Sequence, residues 1–280
     1  MLDVDGWPSL TDPVLVVAIQ GWVDAGAAGE TAADLLGASL GSARDFARLD
    51  LSDLVDLQQT RPGIERTHGR PRVVWPTLTC TAGRAGRDVV LVRGPEPSLR
   101  WRSVVETVVD LAVRLGVREA YGLGAMPAAV THRRAVPVHA TLTSEAPAPA
   151  ATVLRDDYVG PTGLQTTLLV ALGQRGIPGT GLWAQVPHYV AGSPSPPAAL
   201  ALLEHLAATA GLDLTAIDEL RRETEVYVRR VEDGLVDRPD VAELVAAIEA
   251  EHPGDDLAAE VEQFLRGLDP PDADDDRTID

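Results

Sequence analysis

The run Val14-Leu15-Val16-Val17-Ala18-Ile19 constrains this chain more than any other stretch. Six consecutive apolar residues, four of them β-branched, make a strand that must be covered on both faces. Gln20-Gly21-Trp22-Val23-Asp24-Ala25-Gly26 then forms a loop, and Ala27 to Leu40 is rich in good helix formers. A doubly buried strand that feeds a helix is the opening unit of an α/β sheet. The same grammar recurs. Val89 to Val92 and Glu119 to Leu123 read as further strands, with Val138 to Thr143 and Gly181 to Val186 after them. Helices are expected over Ser98 to Leu115 and Leu164 to Arg175, with Ser98 and Thr162 as their caps and Gly116 and Gly176 as their stops. The expected fold is a three-layer α/β/α sandwich with a mostly parallel sheet, of the phosphorylase or hydrolase type.

The less regular stretches carry weaker expectations. Phe46 to Leu49 reads as a short strand, and Asp50 to His68 as irregular connection. Arg72-Val73-Val74-Trp75 and Thr77-Leu78-Thr79-Cys80 are split by Pro76, which suits an edge or a bulge. Gly83 to Arg87 reads as a turn. Gly192-Ser193-Pro194-Ser195-Pro196-Pro197 is a break, and beyond it only helices are expected. They fall at Pro196 to Ala210, Asp213 to Val231, the Val241–Ile248 stripe with Asp240 as cap, and a stripe of Leu257, Val261, Phe264 and Leu265. The chain thus divides into an α/β/α unit over 1–195, a helical extension over 196–268 and an acidic tail over 269–280, expected to be disordered.

Composition excludes several functions. The chain has no Lys and no Asn, which removes a P-loop lysine and a Schiff-base lysine. Cys80 is the only cysteine, so there is neither an internal disulfide nor a Cys-based zinc site. The net charge is -18. A chain so acidic repels nucleic acid and anionic membrane. No apolar run approaches the roughly 18 residues of a membrane span, and the acidic N-terminus lacks the pattern of a signal peptide. The expected location is the cytoplasm.

Few motifs reach chemistry. Gly37-Ala38-Ser39-Leu40-Gly41 spells a hydrolase elbow, but it follows a helix where the reaction needs a strand, so it reads as a helix end. Gly122-Leu123-Gly124-Ala125-Met126-Pro127 begins like a dinucleotide fingerprint and lacks its third glycine. It reads as a tight strand exit. Asp24, between a strand end and a helix start, is either a cap on the N–H groups of Gly26 or Ala27 or a cleft carboxylate; caps are the commoner use of Asp there. Trp22 beside it is a cleft wall or an interface anchor. Thr131-His132-Arg133-Arg134 either holds a phosphate or carboxylate or is a solvated loop whose arginines pair with the chain's acids. His188 follows the last strand and faces the same crevice or packs with Tyr189. The N–H groups near Asp157 to Gly163 suit an anion, or simply a Thr162 cap. Six scattered histidines show no metal-binding spacing.

Several segments together resemble the PAC2 family, related to proteasome assembly chaperone 2. They are Ala18-Ile19-Gln20-Gly21-Trp22-Val23-Asp24-Ala25-Gly26, Thr60-Arg61-Pro62, Val74-Trp75-Pro76-Thr77, Tyr121-Gly122-Leu123-Gly124-Ala125-Met126-Pro127 and Val186-Pro187-His188-Tyr189. They occur in the family's order over about Pro13 to Val190. The helices beyond Pro197 resemble the extension of actinobacterial members. The resemblance implies an α/β/α fold like that of nucleoside phosphorylases, self-association (a trimer among the options) and assembly work on proteasomes. Relatives that dock on the core particle use a hydrophobic-Tyr-any tail; this chain ends Arg277-Thr278-Ile279-Asp280, with Ile in place of Tyr.

The resulting reading is a non-enzymatic interaction protein that binds its own kind and proteasome subunits or another protein, without cofactor or metal. The alternative is a small-molecule enzyme whose cleft comprises Trp22, Asp24, Gly124, Met126, Thr131, His132 and His188.

Overall fold

A computed structural model of the chain describes residues 2–143, 151–154, 158–215 and 217–250. Along the chain come β1 (Leu2–Val4), β2 (Val14–Gln20), α1 (Ala28–Ser39), β3 (Gly41–Asp50), β4 (Gly63–Thr67), β5 (Arg70–Val74), β6 (Thr77–Ala85) and β7 (Arg87–Pro95). Then follow α2 (Trp101–Arg114), β8 (Glu119–Ala128), β9 (Val138–Leu142), β10 (Thr152–Val153), α3 (Leu164–Gln174), β11 (Gly179–Pro187), α4 (Pro196–Ala210), α5 (Ile217–Leu235) and α6 (Pro239–Ala250).

Among the described residues nine strands form one sheet in the order β1-β3-β6-β7-β2-β8-β11-β9-β10, and β4-β5 stand apart as a two-stranded ribbon. The apolar run of β2 is its middle. Val14, Val16 and Ala18 are buried among residues of α1 and α4. Leu15, Val17 and Ile19 are buried among residues of α2 and α3. One six-residue run therefore serves two cores, which is why it shows no polar alternation. A fully buried Val or Leu side chain stabilises by about 1.5–3 kcal/mol, so this strand alone is a major tie between the layers.

The sheet is mixed rather than mostly parallel. The pairs β2–β7, β2–β8, β8–β11 and β9–β10 are parallel, and the other four pairs are antiparallel. The parallel strands β7, β2, β8 and β11 form the centre, where helices cover both faces; on one side the β6–β7 hairpin turns the chain back, so β6 and β3 add antiparallel, and on the other β9 adds antiparallel to β11. Pro76 precedes β6 and does not make it an edge, since β6 lies between β3 and β7. The expected Gly83–Arg87 turn shrinks to Gly86, at φ 74°, because the flanking residues pair as Ala85↔Arg87. Part of the irregular 50–68 connection is the strand β4.

Caps differ in detail. α2 starts after Arg100 in the left-handed region at φ 56°, and Ser98 instead accepts the Asp56 N–H at 3.1 Å. Gly116 stops it as expected, at φ 71°. Ser39 closes α1, its hydroxyl donating to Leu35 O at 2.8 Å, as the helix-end reading of the elbow motif requires. Asp240 lies in the first turn of α6 and pairs with Arg238.

α4 follows the Pro-rich break, yet it is the second helix on the α1 face of the sheet. Ala198, Ala199, Leu202 and Leu206 are fully buried there. α5 packs on α4. Its long polar face leaves only Leu220 and Leu235 buried, and α6 buries Val245 and Ile248. Asp157, the helical stripe from Leu257 to Leu265 and the 269–280 tail lie outside the described residues.

Candidate functional site

The parallel block brings its strand ends to one rim. Gln20 pairs with Pro95, and Pro187 with Ala128. Trp22, Met126 and His188 therefore sit at the same edge of the sheet, where ligand crevices form in open α/β sheets. The sequence places Gly124 and Met126 in an exit loop; in the structure both are inside β8, which runs on to Ala128. Gly124 is tight because of its neighbours. A Cβ there would come within 2.5 Å of the Trp183 ring and 3.1 Å of Val23 O. It is a packing glycine.

Asp24 is a cap, with its bonds reaching further along the helix than the sequence suggests. Its Oδ1 accepts the Gly29 N–H at 2.6 Å and its Oδ2 accepts the Glu30 N–H at 3.1 Å. The shift arises because the chain turns through Gly26 and Ala27, at φ 63° and 46°, before α1 begins. Gly26 is pinned there: its N–H donates to Ala191 O at 2.8 Å and its carbonyl accepts the Ser195 N–H at 2.8 Å. Burial pushes the Asp24 carboxyl above its ordinary value of 3.8, more than the backbone donors pull it down.

The N-terminus of α3 has its anion too, but from the chain. Glu96 Oε1, just past β7, accepts the Leu164 N–H at 2.6 Å. This overrides the expected Thr162 cap: helix N-termini attract any carboxylate within reach, and Glu96 lies across the rim. Burial raises its pKa as well. Trp22 lies over the same turn, 37 % exposed.

The loop after β8 forms a second cluster. Thr131 and His132 are buried. The His132 backbone N–H donates to Tyr189 Oη at 3.0 Å; its Nδ1 lies 2.7 Å from the same oxygen and its Nε2 3.1 Å from Glu232 Oε1. The pattern fits one neutral tautomer, with Tyr189 donating to Nδ1 and Nε2–H donating to Glu232. Burial supports it, holding the imidazole below 6.5 against the upward pull of Glu232. Arg133 spans Glu232 of α5 and Glu249 of α6, at 2.5 and 3.1 Å. Thr131 Oγ1 lies 3.4 Å from Glu249 Oε1, and Arg134 donates to Glu249 O at 3.2 Å. The carboxylates that this loop holds are the protein's own.

His188 meets the cluster edge-on through Tyr189, with ring centroids 5.7 Å apart, and its Nδ1 lies 3.2 Å from Ala128 O. The seven candidates thus divide. His132 and His188 meet at Tyr189, with Thr131 beside them against Glu249; Asp24 and Trp22 sit at the starts of α1 and α3; Gly124 is in the sheet core, and Met126 lies half-buried toward the end of β8. No hydrogen-bonded link between Asp24 and His132 exists among the described residues. Glu96, Glu232 and Glu249 complete the arrangement and carry no local sign of it. Glu232 lies 100 positions from its histidine partner, and only the fold joins them.

Chemically this is a clasp. Both imidazole nitrogens of His132 are engaged, so neither is open to take a substrate proton. Cys80 is buried, its thiol pushed up to about 12, and is inert. Among the described residues no group of three His, Cys, Asp or Glu is placed to hold a metal ion.

The profile of the PAC2 family matches residues 18–234. The chain belongs to the PAC2 family. Solved relatives agree over most of their length. A PAC2 family protein of Streptomyces avermitilis is 37% identical, with TM-score 0.73, over 84% of this chain and 100% of that one. A proteasome-assembly chaperone homologue of Mycobacterium tuberculosis is 33% identical, with TM-score 0.74, over 83% and 99%. A Corynebacterium glutamicum protein of unknown function is 28% identical, with TM-score 0.79, over 94% and 99%. A comparison with curated proteins finds no match. The PAC2 match extends to residue 234 and so includes α4 and nearly all of α5. Among the described residues of this PAC2 protein no helix is long and apolar enough to cross a membrane.

Proposed function

We propose that the protein is a non-enzymatic, self-associating interaction module that works in the cytoplasm as an assembly chaperone, with proteasome subunits as the first clients to test. One observation carries the reading: the ionisable groups of the rim serve the chain itself. Asp24 holds α1 and Glu96 holds α3. His132 and Arg133 hold α5, and Arg133 reaches α6 as well. What remains for a partner is surface, not a reacting group. The likeness to a mycobacterial proteasome-assembly chaperone homologue supports the same reading.

The test is co-expression of the tagged chain with the proteasome subunits of its own organism. The expected result is copurification with unassembled subunits and a changed rate of core-particle formation on native gels. No copurification, no change of rate and no other protein enriched over an acidic control would overturn the proposal. Saturable thermal stabilisation by a nucleoside, phosphate or an acyl ester would overturn it in favour of small-molecule chemistry.

A further inference from the structure

The β4–β5 ribbon is the least explained part of the molecule. Among the described residues its strands pair only with each other, and a lone two-stranded hairpin is marginal in water. It nevertheless exposes apolar groups. Ile64 and Val73 are cross-strand partners, 66% and 50% exposed, and Trp75 continues the same side at 50%. Residues 61–74 carry four Arg and one Glu, 4 − 1 = +3, in a chain of net -18. Arg72 pairs with Glu65 inside the ribbon at 2.7 Å. Arg61, Arg66 and Arg70 have no ion-pair partner among the described residues. An apolar ribbon edged with unpaired cations fits an acidic receiver with an apolar floor.

The chain carries such a receiver. A hollow of about 230 Å³ between β3 and α2 is lined by Leu2, Leu49, Leu54 and Val104 and by polar residues that include Asp50, Asp53 and one cation, Arg100. It is smaller than the roughly 300 Å³ at which small-molecule pockets begin, yet about 230 Å³ has room for two small aliphatic side chains. Asp50 also lines the groove under the ribbon, so arm and hollow are neighbours on one copy.

We infer that the ribbon is a docking arm for a second copy of this chain, placing Ile64 and Val73 in the partner's Leu2–Leu49–Leu54–Val104 hollow, with Arg66 and Arg70 against Asp50 and Asp53. The inference rests on the self-association proposed above and assigns it a surface. The apolar groups supply the attraction; the opposite charges orient it and make it sensitive to salt.

The test uses the full chain and analytical ultracentrifugation at low and high salt. The arm variant is Ile64→Asp with Val73→Asp; the hollow variant is Asp53→Arg with Ser103→Arg. All four positions are exposed, and circular dichroism checks that each variant folds. Each variant alone is expected to associate at least about tenfold more weakly than wild type, and wild-type association is expected to fall with salt. Mixing the two variants is expected to restore association, because one keeps an intact arm and the other an intact hollow. Wild-type oligomers with both variants still assembled would overturn the arm while leaving self-association standing. Weakened variants that do not recover on mixing would likewise refute arm-in-hollow docking. A monomeric wild type at every concentration would remove self-association and this inference together.

Discussion

Replacing Asp24 by alanine distinguishes a structural carboxylate from one kept free for ligands. Its two oxygens hold the Gly29 and Glu30 N–H groups at 2.6 and 3.1 Å. Gly29 is buried, and an added Cβ there would lie 2.6 Å from Leu123 O. The buried Gly29 donor loses its charged acceptor, and a buried donor left poorly met costs about 1–3 kcal/mol. The Glu30 donor is half-exposed and can turn to water, at about 0.5–1 kcal/mol. Asp24→Ala should therefore lose about 1.5–4 kcal/mol, from the upper end of ordinary helix-cap losses to beyond it. Asp24→Asn keeps one acceptor and should lose about 1 kcal/mol. Urea denaturation followed by tryptophan fluorescence measures both. The sign of the pH effect provides a second check. Burial raises the folded-state pKa of Asp24 above 3.8, so the folded state binds this proton more tightly than the unfolded chain. That term favours folding at low pH and is lost as pH rises through the raised value. The wild type should thus gain on the Asn variant as pH falls through that range. An Ala variant within about 0.5 kcal/mol of wild type, the ordinary surface range, would refute the cap and restore Asp24 as a free cleft carboxylate.

Other consequences follow from the same geometry. Gly124→Ala forces a methyl group to within 2.5 Å of Trp183; overpacking of this kind costs about 1–3 kcal/mol and should shift the emission of that buried indole. Leu202→Ala, fully buried between α4 and the sheet, should cost about 2–5 kcal/mol and lower the denaturation midpoint of the whole domain. If only α4 loosened, with the sheet unaffected, α4 would not belong to the sandwich core. The His132 clasp has its own pH window. Its folded-state pKa lies below 6.5 because of burial, so its contribution is complete above 6.5 and is lost as pH falls toward and through the lower value. Glu232, held below its ordinary value first by Arg133, adds a loss at still lower pH. Hydrogen-exchange protection factors of α5 and α6, taken relative to the intrinsic rate at each pH, should therefore fall on acidification before those of the central sheet. Equal protection of the two regions down to pH 4 would contradict the clasp.

The local sequence determined the parts that depend on local forces. A six-residue apolar run with four β-branched residues and no polar alternation reads as a covered strand, and so Val14 to Ile19 declared both the sheet and its two helical layers. Helix stripes, the stop at Gly116 and the helix-end reading of Ser39 were legible for the same reason: their partners lie within a few residues. The rim was legible too, because parallel strands joined by helices must put their C-terminal ends on one side. Tertiary structure decided what long-range pairing decides. Pro76 gave no warning that β6 is interior, since its second neighbour, β3, reaches it only across the intervening β4–β5 ribbon. Thr162 lost its cap to Glu96, 68 positions from Leu164, because a full charge delivered by the fold outcompetes a neighbouring hydroxyl. His132 became part of a clasp only when α5 and α6 brought Glu232 and Glu249 to its loop. Electrostatic and hydrogen-bonding partners are chosen by distance in space, and the chain's order does not encode that distance until the sheet has set its register.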